Sequence, residues 1–329
     1  MASQAGWHSL PSELQEAVLL QLEPAERRRV STVCRLWCAV AMRHQRSLTA
    51  DVSEEPGDEA ILSLLGGAAK RWPFLQRVSF AVAGRWSSVP LMATLVALMQ
   101  RLPAVTSLEV TGLHFELPAA LALMPCQLTQ LRLGCPASLP PWLSRFGSLR
   151  VMDVELDEYA SITLPPSLSR LSQLDTLRLQ GGKQAEHWTL RPSLAGLEVL
   201  SRLPALGFLF ISAASVEPPA DWVQGLTQVK SLALISIKER GAPAEAEEEQ
   251  GAGPPGALHF GAALDGLTQL QCLEISGCTM SSLPPVLARL PGLRRLGING
   301  GDDDGRAALQ LRFPAAEIVS YKEFWKVGT

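Results

Sequence analysis

The 329-residue chain contains no apolar run long enough to span a bilayer. Its first twenty residues lack the basic stretch, apolar core and small-residue cleavage site of a secretory signal. Charge of one sign is also missing. The 29 basic residues face 32 acidic ones, and a formal net charge of −3 supplies no general attraction to nucleic acid or anionic membrane. Partner choice must therefore come from local surface. Aromatic residues are scarce, at 6% with two tyrosines, so a chain that is 47% hydrophobic must build its core mainly from aliphatic side chains. The six cysteines, at 34, 38, 126, 135, 272 and 278, are scattered among apolar positions and make no disulfide framework. They read as reduced thiols, and the expected location is cytoplasmic and/or nuclear.

Catalytic signatures are missing too. The histidines at 8, 44, 114, 187 and 259 form no visible triad with a nucleophile. Gly66-Gly67, Gly181-Gly182 and Gly300-Gly301 lack the strand, spacing and lysine-serine ending of a phosphate loop, and read as turns. Cys34 and Cys38 sit one helical turn apart, but only His44 is near and no second pair completes a zinc site. Asp302-Asp303-Asp304 lacks the spaced ligands of a calcium loop and reads as a solvated cap, as Arg27-Arg28-Arg29 reads as a solvated helix face. The expectation is a protein that is not an enzyme and holds no metal or cofactor.

What the chain has in quantity is a repeat. Leu-x-x-Leu-x-Leu, with Val, Ile, Met or Phe allowed, occurs nine times: Leu75/Val78/Phe80, Val105/Leu108/Val110, Leu128/Leu131/Leu133, Leu149/Met152/Val154, Leu174/Leu177/Leu179, Leu206/Leu209/Ile211, Val229/Leu232/Leu234, Leu270/Leu273/Ile275 and Leu293/Leu296/Ile298. Between them recurs Leu-Pro-Pro-x-Leu, at Leu139–Leu143, Leu164–Leu168 and Leu283–Leu287. Proline suits the first helical position because its missing amide hydrogen costs nothing there. Each unit is then a short strand, a turn and a convex helical segment, which is the leucine-rich-repeat pattern. Such units cannot bury their apolar face alone and must stack. The fold class expected is α/β, a leucine-rich-repeat solenoid shaped as a horseshoe over residues 71–329.

Three connections are enlarged. One holds Leu91, Leu95, Leu98 and Leu102 at helical spacing, and another an insertion near 181–190 followed by a helix through Leu194, Leu197, Leu200 and Leu203. The third reads KERGAPAEAEEEQGAGPPG over 238–256, which cannot bury itself and is expected as a mobile acidic loop. The asparagine or cysteine that usually closes the turn after each strand is replaced everywhere but at Cys278, so the turn must be satisfied in another way.

Residues 7–42 fall outside the repeat. Ser12 and Gln15 can form a capping box ahead of the apolar stripe Leu14, Val18 and Leu22, widened by Ala17 and Leu19; Val30, Val33, Trp37 and Ala41 recur on a later helical face. Three short helices are expected. Leu10-Pro11-x-Glu13-Leu14, Val18-Leu19-x-x-Leu22 and Val33-Cys34-Arg35-x-Trp37, in that order and spacing, resemble the F-box, and the chain as a whole resembles the F-box proteins with leucine-rich repeats. The resemblance implies a boundary near residue 48, a connecting helix or linker over 49–70, and an F-box-like segment that binds a Skp-family adaptor and through it a cullin. Its contact residues would be Leu10, Pro11, Leu14, Val18, Leu19, Leu22, Val33, Cys34 and Trp37. It also implies that the repeats hold a protein target for ubiquitin transfer by other subunits. The alternative is a non-catalytic interaction scaffold whose N-terminal helices only cap the solenoid, since about forty residues need something to cover their apolar face. One helix bundle can serve both roles.

Side chains alternate across a strand, so with leucines inward the residues between them face the concave surface. The central positions are Ser79, Glu109, Arg132, Asp153, Arg178, Phe210, Ala233, Glu274 and Gly297. Phe210, with Phe208 and Ile235, makes an apolar patch beside Arg132, Asp153, Glu155 and Arg178. An aromatic anchor beside charges of both signs has the composition of a protein-binding hot spot. The competing expectation is that the insertion at 181–190 or the acidic loop folds over it.

Overall fold

The computed structural model describes residues 46–52, 72–82, 99–181, 192–239, 263–276 and 287–319, isolated positions and loops of up to five residues excepted, together with Ala17, Gln21 and Glu26. Among the described residues the chain is a stack of short parallel strands. The main sheet runs β1 (Ser47–Val52), β2 (Arg77–Val82), β3 (Ser107–Thr111), β4 (Gln130–Gly134), β5 (Val151–Leu156), β7 (Thr176–Gly181), β9 (Phe208–Ser212), β11 (Ser231–Ile235), β13 (Cys272–Ser276), β14 (Arg295–Asn299) and β15 (Glu317–Val319). Strand order follows chain order, as stacking of consecutive units demands. This is the leucine-rich-repeat solenoid.

All nine strands expected from the repeat pattern are present, and two more lie at the ends. β1 pairs with β2 from Ser47↔Arg77 to Val52↔Val82, so the expected linker over 49–70 begins as a strand of the array. Its Leu48, Ala50 and Val52 carry one small residue where the pattern wants a large one, and so escape it. At the other end Asp303 and Asp304 open helix α1 (Asp303–Arg312), and β15 follows. Leu309, Phe313 and Ala316, all buried, close the last unit.

The core is one continuous column of repeat leucines. Leu75, Leu149, Leu179, Leu209, Leu232 and Leu273 are essentially inaccessible, and buried and partly exposed positions alternate along β3, β5, β7 and β9. Strand pairing is locked at each main-sheet entry from β2 to β14 by one carbonyl that accepts two amide hydrogens from the next unit. The Arg150 carbonyl takes the N–H of Asp175 (3.0 Å) and Thr176 (2.9 Å), and the Asp175 carbonyl takes those of Gly207 and Phe208 (both 2.9 Å). The same arrangement starts at Arg46, whose carbonyl accepts from Gln76 and Arg77 (both 2.9 Å).

Several convex segments are 3-10 turns, including Pro141–Arg145, Pro166–Arg170 and Leu197–Arg202, while Met99–Gln100 and Trp222–Val223 are α-helical. The first two begin with proline, as the sequence implied. The helix expected from Leu194 onward starts only at Leu197. Leu194 lies in β8 (Ser193–Ala195), and Gly196, at φ 73°, adopts the left-handed conformation that breaks the chain between them. An added Cβ at Gly196 would meet the Leu164 carbonyl oxygen at 2.7 Å, so the site needs glycine twice over.

Beyond the main sheet runs a second parallel sheet. β6 (Ser161–Thr163), β8, β10 (Ser215–Val216) and β12 (Lys238–Glu239) follow β5, β7, β9 and β11, and pair in the order β12-β10-β8-β6. Backbone groups of these short segments pair with one another across the units. Lys238 and Glu239, expected to open a mobile loop, are thus strand. On the convex side Gln228 Nε2 donates to the carbonyls of Leu200 (3.2 Å) and Leu203 (2.9 Å) in the preceding unit. Gln228→Ala leaves both carbonyls without that donor and is expected to cost about 1–3 kcal/mol in denaturant unfolding. Gln224→Ala, at an exposed position, is expected to stay within about 0.5 kcal/mol of wild type.

Candidate functional site

Parallel in-register pairing converts the central residue of every strand into one row across the open face. Ser79 pairs with Glu109, Glu109 with Arg132, Arg132 with Asp153, Asp153 with Arg178, Arg178 with Phe210, and Phe210 with Ala233. The row continues through Glu274 and Gly297. Over four adjacent strands the charge alternates, and an aromatic ring ends the alternation. Neighbouring strands lie about 4.8 Å apart, so Arg132 and Asp153 each sit beside two charges of opposite sign and Glu109 and Arg178 each beside one.

The two arginines are held differently. Arg132 is shared: its Nη1 lies 3.3 Å from Glu109 Oε1 and its Nε 3.8 Å from Asp153 Oδ2. Its side chain is 44% exposed, so each pair contributes at most about 1 kcal/mol. Arg178 is half-buried and its guanidinium carbon lies 5.4 Å from the centre of the Phe208 ring, a cation–π contact. Arg178 Nε is buried and makes no hydrogen bond to any described residue. A buried donor of this kind costs about 1–3 kcal/mol for as long as no acceptor reaches it.

Asp153 sits between them with 17% of its side chain exposed, and its Oδ1 is buried with no hydrogen bond to any described residue. Burial pushes its pKa above the ordinary value of 3.8, against the pull of Arg132 and then Arg178; Glu155 and Glu109 add to the rise. Glu155, two residues on along β5, pairs in register with Gln180 and Gly134 and is partly buried on the same face.

The sequence-derived target-binding residues therefore fall together on the open face: Arg132, Asp153, Arg178 and Phe210 in one row, with Phe208 and Glu155 in the flanking rows. Phe208 and Phe210 keep partial exposure. Ile235 shares the face, opposite Ser212, but is only 8% exposed and offers little surface. Ala233 and Glu274 are each 1% exposed, so the accessible part of the row ends at Phe210. Glu109, which the sequence marks only as a residue of the row, is through its salt bridge the partner that occupies Arg132. Its position between Ser79 and Arg132 in the strand register was the available signal.

The adaptor-contact residues Leu10, Pro11, Leu14, Val18, Leu19, Leu22, Val33, Cys34 and Trp37 lie outside the described residues, as does the three-helix reading of that segment. Within it, Ala17, Gln21 and Glu26 are helical and exposed. Most of 181–190 and of the acidic stretch after Glu239 also lies outside the described residues.

An F-box-like family model matches residues 7–48. No curated protein matches the chain. Similar solved structures include internalin C2 of Listeria monocytogenes, 14% identical with a TM-score of 0.39, covering 70% of this chain and 83% of that one. A second Listeria monocytogenes internalin, inlF, is 14% identical with a TM-score of 0.38, covering 94% of each chain. A leucine-rich-repeat protein of Leptospira interrogans is 13% identical with a TM-score of 0.29, covering 86% of this chain and 91% of that one.

The raised pKa of Asp153 has a definite sign in stability. A carboxyl that binds its proton more tightly when folded stabilises the fold most below its unfolded pKa, and that contribution is lost as pH rises through the folded value. Asp153→Asn removes the titration. The melting temperature of the variant minus that of wild type is expected to rise from about pH 3 to about pH 7. A constant or falling difference would contradict the assignment.

Proposed function

We propose that this chain is the substrate-recognition subunit of a Skp-cullin-F-box type ubiquitin ligase. The N-terminal segment docks a Skp-family adaptor and, through it, a cullin, while the concave face of the repeats holds a protein target. The chain works in the cytoplasm and/or nucleus, and ubiquitin transfer is performed by other subunits. The observation that supports this is the F-box-like match at 7–48, whose last two residues, Ser47 and Leu48, already belong to β1 of the array. A docking segment joined directly to a binding surface suits a receptor that positions a target.

A wide apolar helical stripe would enter a groove on the adaptor, with Leu14 and Trp37 among the anchors. The full-length protein is expected to co-elute with a Skp-family adaptor as a stable complex. Leu14→Asp and Trp37→Ala should each abolish co-elution while leaving the thermal unfolding of the repeats unchanged. Folded wild-type protein that binds no such adaptor would overturn the proposal. Loss of the first repeats on deleting residues 1–45, without adaptor binding, would identify a scaffold with a helical cap.

A further inference from the structure

We infer that the open face across β5, β7 and β9 takes a single carboxylate carried beside an apolar side chain, as in an acidic–apolar stretch of a target protein, with Arg178 holding the carboxylate. The inference rests on the reading of this face as the target-binding surface.

The two arginines of the row differ in what they have left to offer. Arg132 is taken up by Glu109 at 3.3 Å and Asp153 at 3.8 Å. Arg178 makes neither a hydrogen bond nor a salt bridge to any described residue, although Asp153 is its in-register neighbour and attracts it. Its guanidinium carbon instead lies over the Phe208 ring, 5.4 Å from the ring centre. The cation–π contact restrains the guanidinium, so less side-chain freedom is lost when a carboxylate binds it. Phe210 on the next strand, paired in register with Arg178, supplies an adjoining apolar surface. Steps of about 5–7 Å between these groups match side chains i and i+2 of an extended segment.

Charge selects among anions. Asp153 is the in-register neighbour of Arg178, and Glu155 follows two residues further along the same strand and forms no ion pair with a described residue. A phosphate carrying close to two negative charges is repelled by both carboxylates while a single arginine attracts it. A carboxylate carries less charge into the same surroundings and fits the two oxygens to the fork. Nucleic acid is disfavoured on the same ground and by the net charge of −3.

Three pools of fluorescein-labelled heptapeptides provide the test, each with a fixed leucine and, two residues away, a fixed glutamate, phosphoserine or lysine. They are titrated against the full-length chain. The glutamate pool is expected to bind most tightly and to lose about tenfold to a hundredfold in affinity with Arg178→Gln. Arg178→Lys should retain part of the binding, and Arg145→Gln, on an exposed convex turn, all of it. Phe210→Ser should weaken the same pool independently, which keeps the test decisive should Arg178→Gln fail to fold. Preference for phosphoserine or lysine, indifference of the glutamate pool to Arg178 and Phe210, or binding of no pool would overturn the inference. Adaptor co-elution of Arg178→Gln is expected to match wild type. Peptide binding without any adaptor complex would therefore remove the ligase reading and keep this one, and the reverse result would do the opposite.

Discussion

Every feature of this molecule depends on parallel strands pairing in register, one unit after another. The lock is a carbonyl at each strand entry that accepts two amide hydrogens from the following unit, from Arg46 through Arg150 and Asp175 to Gln271. A slip of one residue at any unit would turn its leucines outward and its polar residues into the core, because side chains alternate along a strand. Burial of Leu149, Leu177 and Leu209 and the placement of Asp153, Arg178 and Phe210 are thus two sides of one constraint.

That constraint explains why a charged row exists at all. Residues separated by more than twenty positions in the chain are brought to strand spacing, where alternating signs relieve the repulsion that a row of one sign would build up. The pairing is uneven in its result. Arg132 is shared between two carboxylates, whereas Arg178 rests on Phe208, and burial leaves Asp153 a weaker acid than usual despite both arginines. Where the row reaches Ala233 and Glu274 it is no longer open to solvent, so its accessible part ends at Phe210.

Backbone polar groups at the turns must be paired whether or not the usual side chain is present. Here the answer changes along the array. Four consecutive units pair their turns through β6, β8, β10 and β12, and Gln228 reaches back to two carbonyls of the preceding unit.

The repeat class, the nine strands and the identity of the open-face residues were legible in the sequence, because an aliphatic side chain every second or third position has no other way to be buried. The F-box-like segment was legible from Leu10-Pro11-x-Glu13-Leu14 and Val33-Cys34-Arg35-x-Trp37, local patterns that need no partner to be seen. β1 and β15 were not, since Ala50 and Ala316 break the pattern and only pairing with β2 and β14 makes those segments strands. The second sheet was hidden in the short phrases Ser161-Ile162-Thr163, Ser193-Leu194-Ala195 and Ser215-Val216, too brief to specify a strand without a neighbour. Sequence alone could name Arg132 and Arg178 as equals. Tertiary structure separated them, because whether a guanidinium finds a carboxylate or an aromatic ring depends on which side chains the adjoining strands bring to within a few ångströms.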